Sequence, residues 1–182
     1  MEKKKRFRKK IGMVFRIDLK EGTYGYGQVA TEVDNIFFDH QDEADHFTPI
    51  EEILEKPIAF YATVDRYVLK EGLWEILGIY PVKPENQVFP DFFGYDPFKK
   101  TYTLFKKGIG YVPCTLEETY GHEYLTSYGH GGIEQRLRDH FAGRPCWYIE
   151  YDRTQHLGPT FMSMKEFYKQ YGYDFHWLDE GD

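Results

Sequence analysis

The sequence predicts an α+β domain built on a strongly bent, mainly antiparallel β-sheet, bent far enough to be barrel-like, with two or three short helices packed on it. Three observations predict this. Short runs of apolar and aromatic residues with a two-residue alternation recur along the chain, which is the period of half-buried strands. Gly and Pro punctuate those runs at turn spacing. Near the end, two segments carry helix signals instead: apolar residues four apart in one, a capping box in the other. Aromatics make up 19% of the 182 residues, and 16 of them are Tyr, a residue suited to pleated, half-buried surfaces.

Each element follows in order. Residues 11–19 (IGMVFRIDL) read as a strand with Phe15, Ile17 and Leu19 on one face. Lys20, Glu21, Gly22 and Thr23 supply a turn, and residues 24–29 (YGYGQV) resume the extended pattern, so the pair reads as a hairpin. Gly25 and Gly27 alternate with Tyr24 and Tyr26, an arrangement that lets a ring or another backbone lie flat on the glycine face. Residues 36–39 suggest a third short strand, and the acidic run 39–46 (DHQDEADH) a loop. Thr48, Pro49 and Glu51 then fit an N-cap, a first helical position and a capping-box partner, for a helix to about residue 56.

Residues 57–67 read as a strand, Glu71 and Gly72 as a turn, and residues 73–80 (LWEILGIY) as a strand apolar on both faces, hence central. Residues 82–98, with Pro84, Pro90 and Pro97, read as a long loop. Strand-like pieces follow at 101–105 and 108–112. Ile133, Leu137 and Phe141 give an amphipathic helix over 131–141, residues 146–151 (CWYIEY) a last strand, and Ser163 with Glu166 a capped helix over 163–171. The domain plan is a disordered basic tail over 1–10, one domain over 11–175 and an acidic tail over 176–182.

Charge divides unevenly. The net charge is −7, yet the first ten residues hold seven Lys or Arg against one Glu, which leaves about −13 on the rest. Such a body repels nucleic acid and attracts basic proteins. The basic tail alone, without a folded DNA-binding motif, reads as a solubilising end, so no nucleic-acid partner is expected. No apolar run follows the basic start, and none is long enough to span a membrane, so cytoplasmic residence is the expectation. Two cysteines, Cys114 and Cys146, form neither a disulfide framework nor a zinc motif.

Catalytic signatures are sparse. The stretch YGYGQV lacks the third glycine and helix of a dinucleotide fingerprint, and neither a Walker A loop nor G-x-S-x-G occurs. His40, Asp42, Asp45 and His46 offer metal-ligand chemistry at a spacing that matches no known site, and read better as a solvated loop. Cys114 with His122 or His130 is the strongest enzymatic alternative, a Cys/His site in the second half without an evident third group. No cofactor and no catalytic residue is expected.

Residues Ile11, Gly12, Val14 and Phe15, the turn at Gly22 and the run Tyr24 to Val29 resemble the opening of the immunity protein 26 family, bacterial proteins associated with polymorphic toxin systems. Phe37, Phe38 and Asp39, then residues 57–60 (PIAF) and 72–78 (GLWEILG), continue the resemblance through about residue 81, and residues 132–137 (GIEQRL) resemble it more loosely. The resemblance implies a non-catalytic protein that binds and neutralises a cognate toxin. Combined with the acidic body, it points to a basic, nuclease-type toxin as partner. The stretch 39–52 carries six carboxylates, Asp39, Asp42, Glu43, Asp45, Glu51 and Glu52, and no Lys or Arg. It is the expected contact, with Phe47 as an apolar anchor.

Overall fold

The computed structural model describes residues 7–20, 22–88, 90–154 and 162–173. Its first sheet holds β1 (Met13–Asp18), β2 (Thr23–Val29), β3 (Asp34–Glu43), β4 (Ile58–Val64), β5 (Glu75–Ile79) and β10 (Ser127–Tyr128). The order is β10-β4-β3-β2-β1-β5, antiparallel throughout except for β10 against β4. A second sheet, ordered β8-β7-β6-β9, contains β6 (Phe92–Asp96), β7 (Thr101–Lys106), β8 (Gly110–Cys114) and β9 (Glu123–Tyr124). Five short helices accompany them: α1 (Ile50–Ile53), α2 (Arg66–Lys70), α3 (His130–Phe141), α4 (Trp147–Thr154) and α5 (Met164–Lys169).

The α+β class is as read from the sequence, but the single barrel-like sheet is not. Two open sheets replace it, neither closed nor strongly curled, and the described residues form five short α-helices rather than two or three. The reason lies in residues 82–98. This stretch, read as a loop, contains β6, which founds the second sheet. Apolar surface that one sheet would have to curl around is shared between two.

The first sheet is buried on both faces. Met13, Phe15, Ile17 and Leu19 alternate along β1 and its end onto one face, where α3 lays Ile133 and Leu137 across them. Phe15 stacks on Trp74 at 5.1 Å, and Phe37 meets Trp74 edge-on at 6.2 Å. Glycine in β2 makes room for this. A Cβ on Gly27 would lie 2.5 Å from Cε2 of Phe15, so the flat glycine face read from the sequence is a seat for that ring. The opposite face gathers Tyr26, Ile36 and Phe38 against Ile53 of α1.

Other local readings needed correction. Residues 73–80 were expected at the centre of a sheet, but β5 is an edge, with Ile76 and Ile79 largely exposed. Trp74, just before β5, supplies that segment's burial instead, at 2% exposure. Residues 146–151 are not a strand: from Trp147 on they form the start of α4. There Trp147 stacks on Tyr151 one turn later at 4.6 Å, and Arg153 donates to Glu150 at 2.7 Å, both helical spacings. The Ser163/Glu166 capping box forms as read.

The second sheet is organised around a buried cation. Arg153 of α4 donates to Thr119 Oγ1 at 3.2 Å and lies over the rings of Phe93 (5.0 Å) and Tyr120 (4.6 Å), while its carbonyl accepts from Tyr102 OH at 3.0 Å. Glu123 of β9 pairs with Arg136 of α3, whose guanidinium lies 3.8 Å over Phe60 of β4, and this ties the two sheets together. β8 is the open edge, and Pro113 stands within it.

Candidate functional site

The acidic stretch is not one loop. Residues 39–43 belong to β3, which continues to Glu43 and turns back through Ala44 and Asp45. A bulge re-aims this half of the strand. Gly25 of β2 faces Gln41 and Gly27 faces Phe37, so Phe38, Asp39 and His40 all stand opposite Tyr26. The extra residues direct Asp39 to His140 of α3 (2.8 Å) and turn His40 and Asp42 towards Tyr26.

Asp42 is buried, and four donors converge on it. Tyr26 OH donates at 2.6 Å, and the Thr48 N–H and hydroxyl each donate at 2.8 Å. His40 Nε2 sits 2.8 Å from Oδ1, the oxygen that also accepts from the Thr48 hydroxyl, while Tyr26 OH and the Thr48 N–H share Oδ2. Burial by itself would raise this carboxyl, but the hydrogen bonds from Tyr26, Thr48 and His40 outweigh it and hold it below the usual Asp value. The Tyr26 hydroxyl moves the other way, upward, through burial and its bond to the carboxylate. Asp42 is therefore an internal fastening that pins the turn to β2. It is not a surface charge.

The fastening also explains why the expected capping box at Thr48 does not form. The Thr48 hydroxyl is engaged by Asp42 and His40, Pro49 takes the cap position, and α1 is a single turn from Ile50 to Ile53. Phe47 lies over the Arg16 guanidinium at 4.0 Å and meets Tyr24 edge-on at 5.4 Å, yet stays 44% exposed. Arg16 is itself paired with Glu75 at 2.5 Å.

Asp39, Glu43, Asp45, Glu51 and Glu52 are all exposed. Five of the six predicted carboxylates thus face solvent, and the sixth holds the framework. Sequence reading missed Tyr26, His40, Thr48 and Arg16 as the residues that shape this surface. The available signal was the polar pair His40 and Asp42, two residues apart and so on one face of an extending strand.

The alternative Cys/His site does not assemble. Cys114 lies in β8, His122 hydrogen-bonds with the Asp91 carbonyl at 3.2 Å, and His130 opens α3 beside Tyr67. No hydrogen bond among the described residues joins Cys114 to either histidine. Burial and the nearby Glu118 raise the Cys114 thiol, the wrong direction for a nucleophile. Burial pushes Cys146 up to about 12. Among the described residues no three His, Cys, Asp or Glu side chains gather as a metal site, and no helix is long and apolar enough to cross a membrane.

A sheet buried on both faces that exposes carboxylates and Phe47 at one end, with Asp42 turned inward, suits a protein that acts by binding. Residues 10–104 match the family model of immunity protein 26, and the chain belongs to that family. It is accordingly a non-catalytic immunity protein of a toxin system, with a cognate toxin as its partner. The matched span covers β1 to β6 and most of β7. No curated protein and no solved structure matches the chain.

Proposed function

We propose that the chain neutralises a basic, nuclease-type toxin domain in the cytoplasm by occupying it with the acidic end of the six-stranded sheet. The observation that carries this reading is the exposure of Asp39, Glu43, Asp45, Glu51 and Glu52, with a half-exposed Phe47, in a stretch fastened from within through Asp42. A nuclease must hold a polyanion, so its substrate cleft is basic, and a clustered carboxylate surface both steers encounter and mimics phosphate. Phe47 supplies the desolvated contact that slows dissociation. Prior fastening of the turn lowers the ordering cost of binding. Two free thiols suit a reducing compartment. The ties between the sheets support reading 11–175 as one domain.

Titration of the toxin's nuclease activity tests this. A variant with Glu43, Asp45, Glu51 and Glu52 all changed to Lys is expected to associate with the toxin about a hundredfold more slowly at low salt, with an unchanged urea midpoint. Full inhibitory strength in that variant would place the contact elsewhere.

A further inference from the structure

The end of the first sheet opposite the acidic turn carries the reverse charge. There the β2–β3 turn (residues 31–33), residues 8–11 and the start of α2 enclose a groove of about 700 Å³. Four cations line it, Arg8, Lys9, Lys10 and Arg66, against one carboxylate, Glu32. Lys9 Nζ donates to the Val33 carbonyl at 3.0 Å and so fixes residues 8–10 against the turn. Arg8, Lys10 and Arg66 take part in no ion pair among the described residues. The apolar lining is aliphatic: Val29 and Val64 are buried in it, and Ile11 and Val33 stand exposed at its rim. No aromatic ring lines it.

We infer that this groove binds an extended acidic segment of a partner protein, with carboxylates on Arg8, Lys10 and Arg66 and an aliphatic side chain against the exposed Ile11 and Val33. Charge complementarity selects an anion, since cations held together without partners repel and are relieved by a counter-charge. The lining selects which anion. Single-stranded nucleic acid binds through stacking on aromatic faces, which this groove lacks, whereas the exposed Ile11 and Val33 offer aliphatic surface to the side chain of a peptide. The inference uses a surface separate from the acidic turn and does not depend on the toxin assignment.

Fluorescence anisotropy on the full chain tests it, with a short labelled peptide that alternates glutamate and leucine. The peptide is expected to bind at low salt. It should bind at least about tenfold more weakly to the double variant Arg8→Glu with Arg66→Glu, and likewise when alanine replaces its leucines. Both arginines are exposed, so the fold should persist. Should the double variant lose its urea midpoint, Lys10→Glu alone serves, with a smaller expected loss. No binding to the native chain, or binding unchanged in the variants, overturns the proposal. So does equal competition by a thymidine oligonucleotide of matched charge, which would make the groove a general polyanion site. Self-association in sedimentation that the same variant abolishes would assign the groove to the acidic turn of a second copy, and would overturn it too.

Discussion

In the first sheet, Phe15, Phe37 and Trp74, each at most 2% exposed, interlock as one aromatic cluster, whereas the second sheet closes over Arg153, a cation that is 3% exposed. The first is stabilised by apolar area and close packing. The second depends on hydrogen bonds and cation–π contacts that hold only while every partner is in place. The comparison teaches where tolerance lies. A packed aromatic core constrains the residues around it. A sheet hung on one arginine leaves much of its surface free, and Tyr111 and Ile109 of its hairpin stand 65% and 75% exposed.

The strongest way to break this contrast is Trp74→Ala. The ring contacts both Phe15 and Phe37 and donates to Glu134 of α3, so its loss should cost about 3–5 kcal/mol, read from urea unfolding. An unchanged midpoint would contradict its place at the centre of the core. Arg153→Met should cost about 2 kcal/mol, less than a fully buried pair because Glu150 keeps some contact with water. Its signature is local: hydrogen exchange should quicken in β6–β8 and stay unchanged in β1–β3. Equal quickening in both sheets would mean that they unfold as one unit.

Asp42→Asn sharpens the comparison, because it probes a polar fastening inside the first sheet. It should cost about 2 kcal/mol, since a neutral amide offers poorer acceptors to Tyr26, Thr48 and His40. The native carboxyl sits below its unfolded value, so its contribution is present at neutral pH and lost as pH falls through the folded value. The Asn variant should therefore be less acid-sensitive.

The smallest expected effect lies between the sheets and has the opposite sign. Burial raises Asp152 of α4 to about 6, with Tyr128 OH, 3.4 Å away, only partly offsetting it. The folded state then holds the proton more tightly than the unfolded chain, so stability is full below about pH 4 and falls as pH rises through about 6. Discounted for partial exposure, the fall is about 1 kcal/mol. Asp152→Asn should flatten it in denaturation measured across that range.

Much of the first sheet was legible because its signals are local and periodic. Phe15, Ile17 and Leu19 alternate, Gly27 marks the ring seat, and Ile133 and Leu137 repeat at helical spacing. The second half was harder to read. Arg153 gives no sequence sign of being a core residue, and β9 and β10 are two residues each, set by partners far along the chain. CWYIEY satisfies both strand composition and helix spacing, and only packing against α5 and β9 decides for the helix. At the candidate site the carboxylates were plain in the sequence. That Asp42 turns inward was not, because the bulge that turns it depends on pairing with β2.

Pro113 on the open edge of β8 has a further consequence. An inhibitor must be on hand before its toxin appears, so it accumulates in stock, and a crowded stock of bare strand edges invites stacking into fibres. A proline there withholds one amide donor from any strand that would dock, and Lys106 and Lys107 at the hairpin add like-charge repulsion between copies. Shelf life at high concentration is thereby written into one proline and two lysines at the edge of the second sheet.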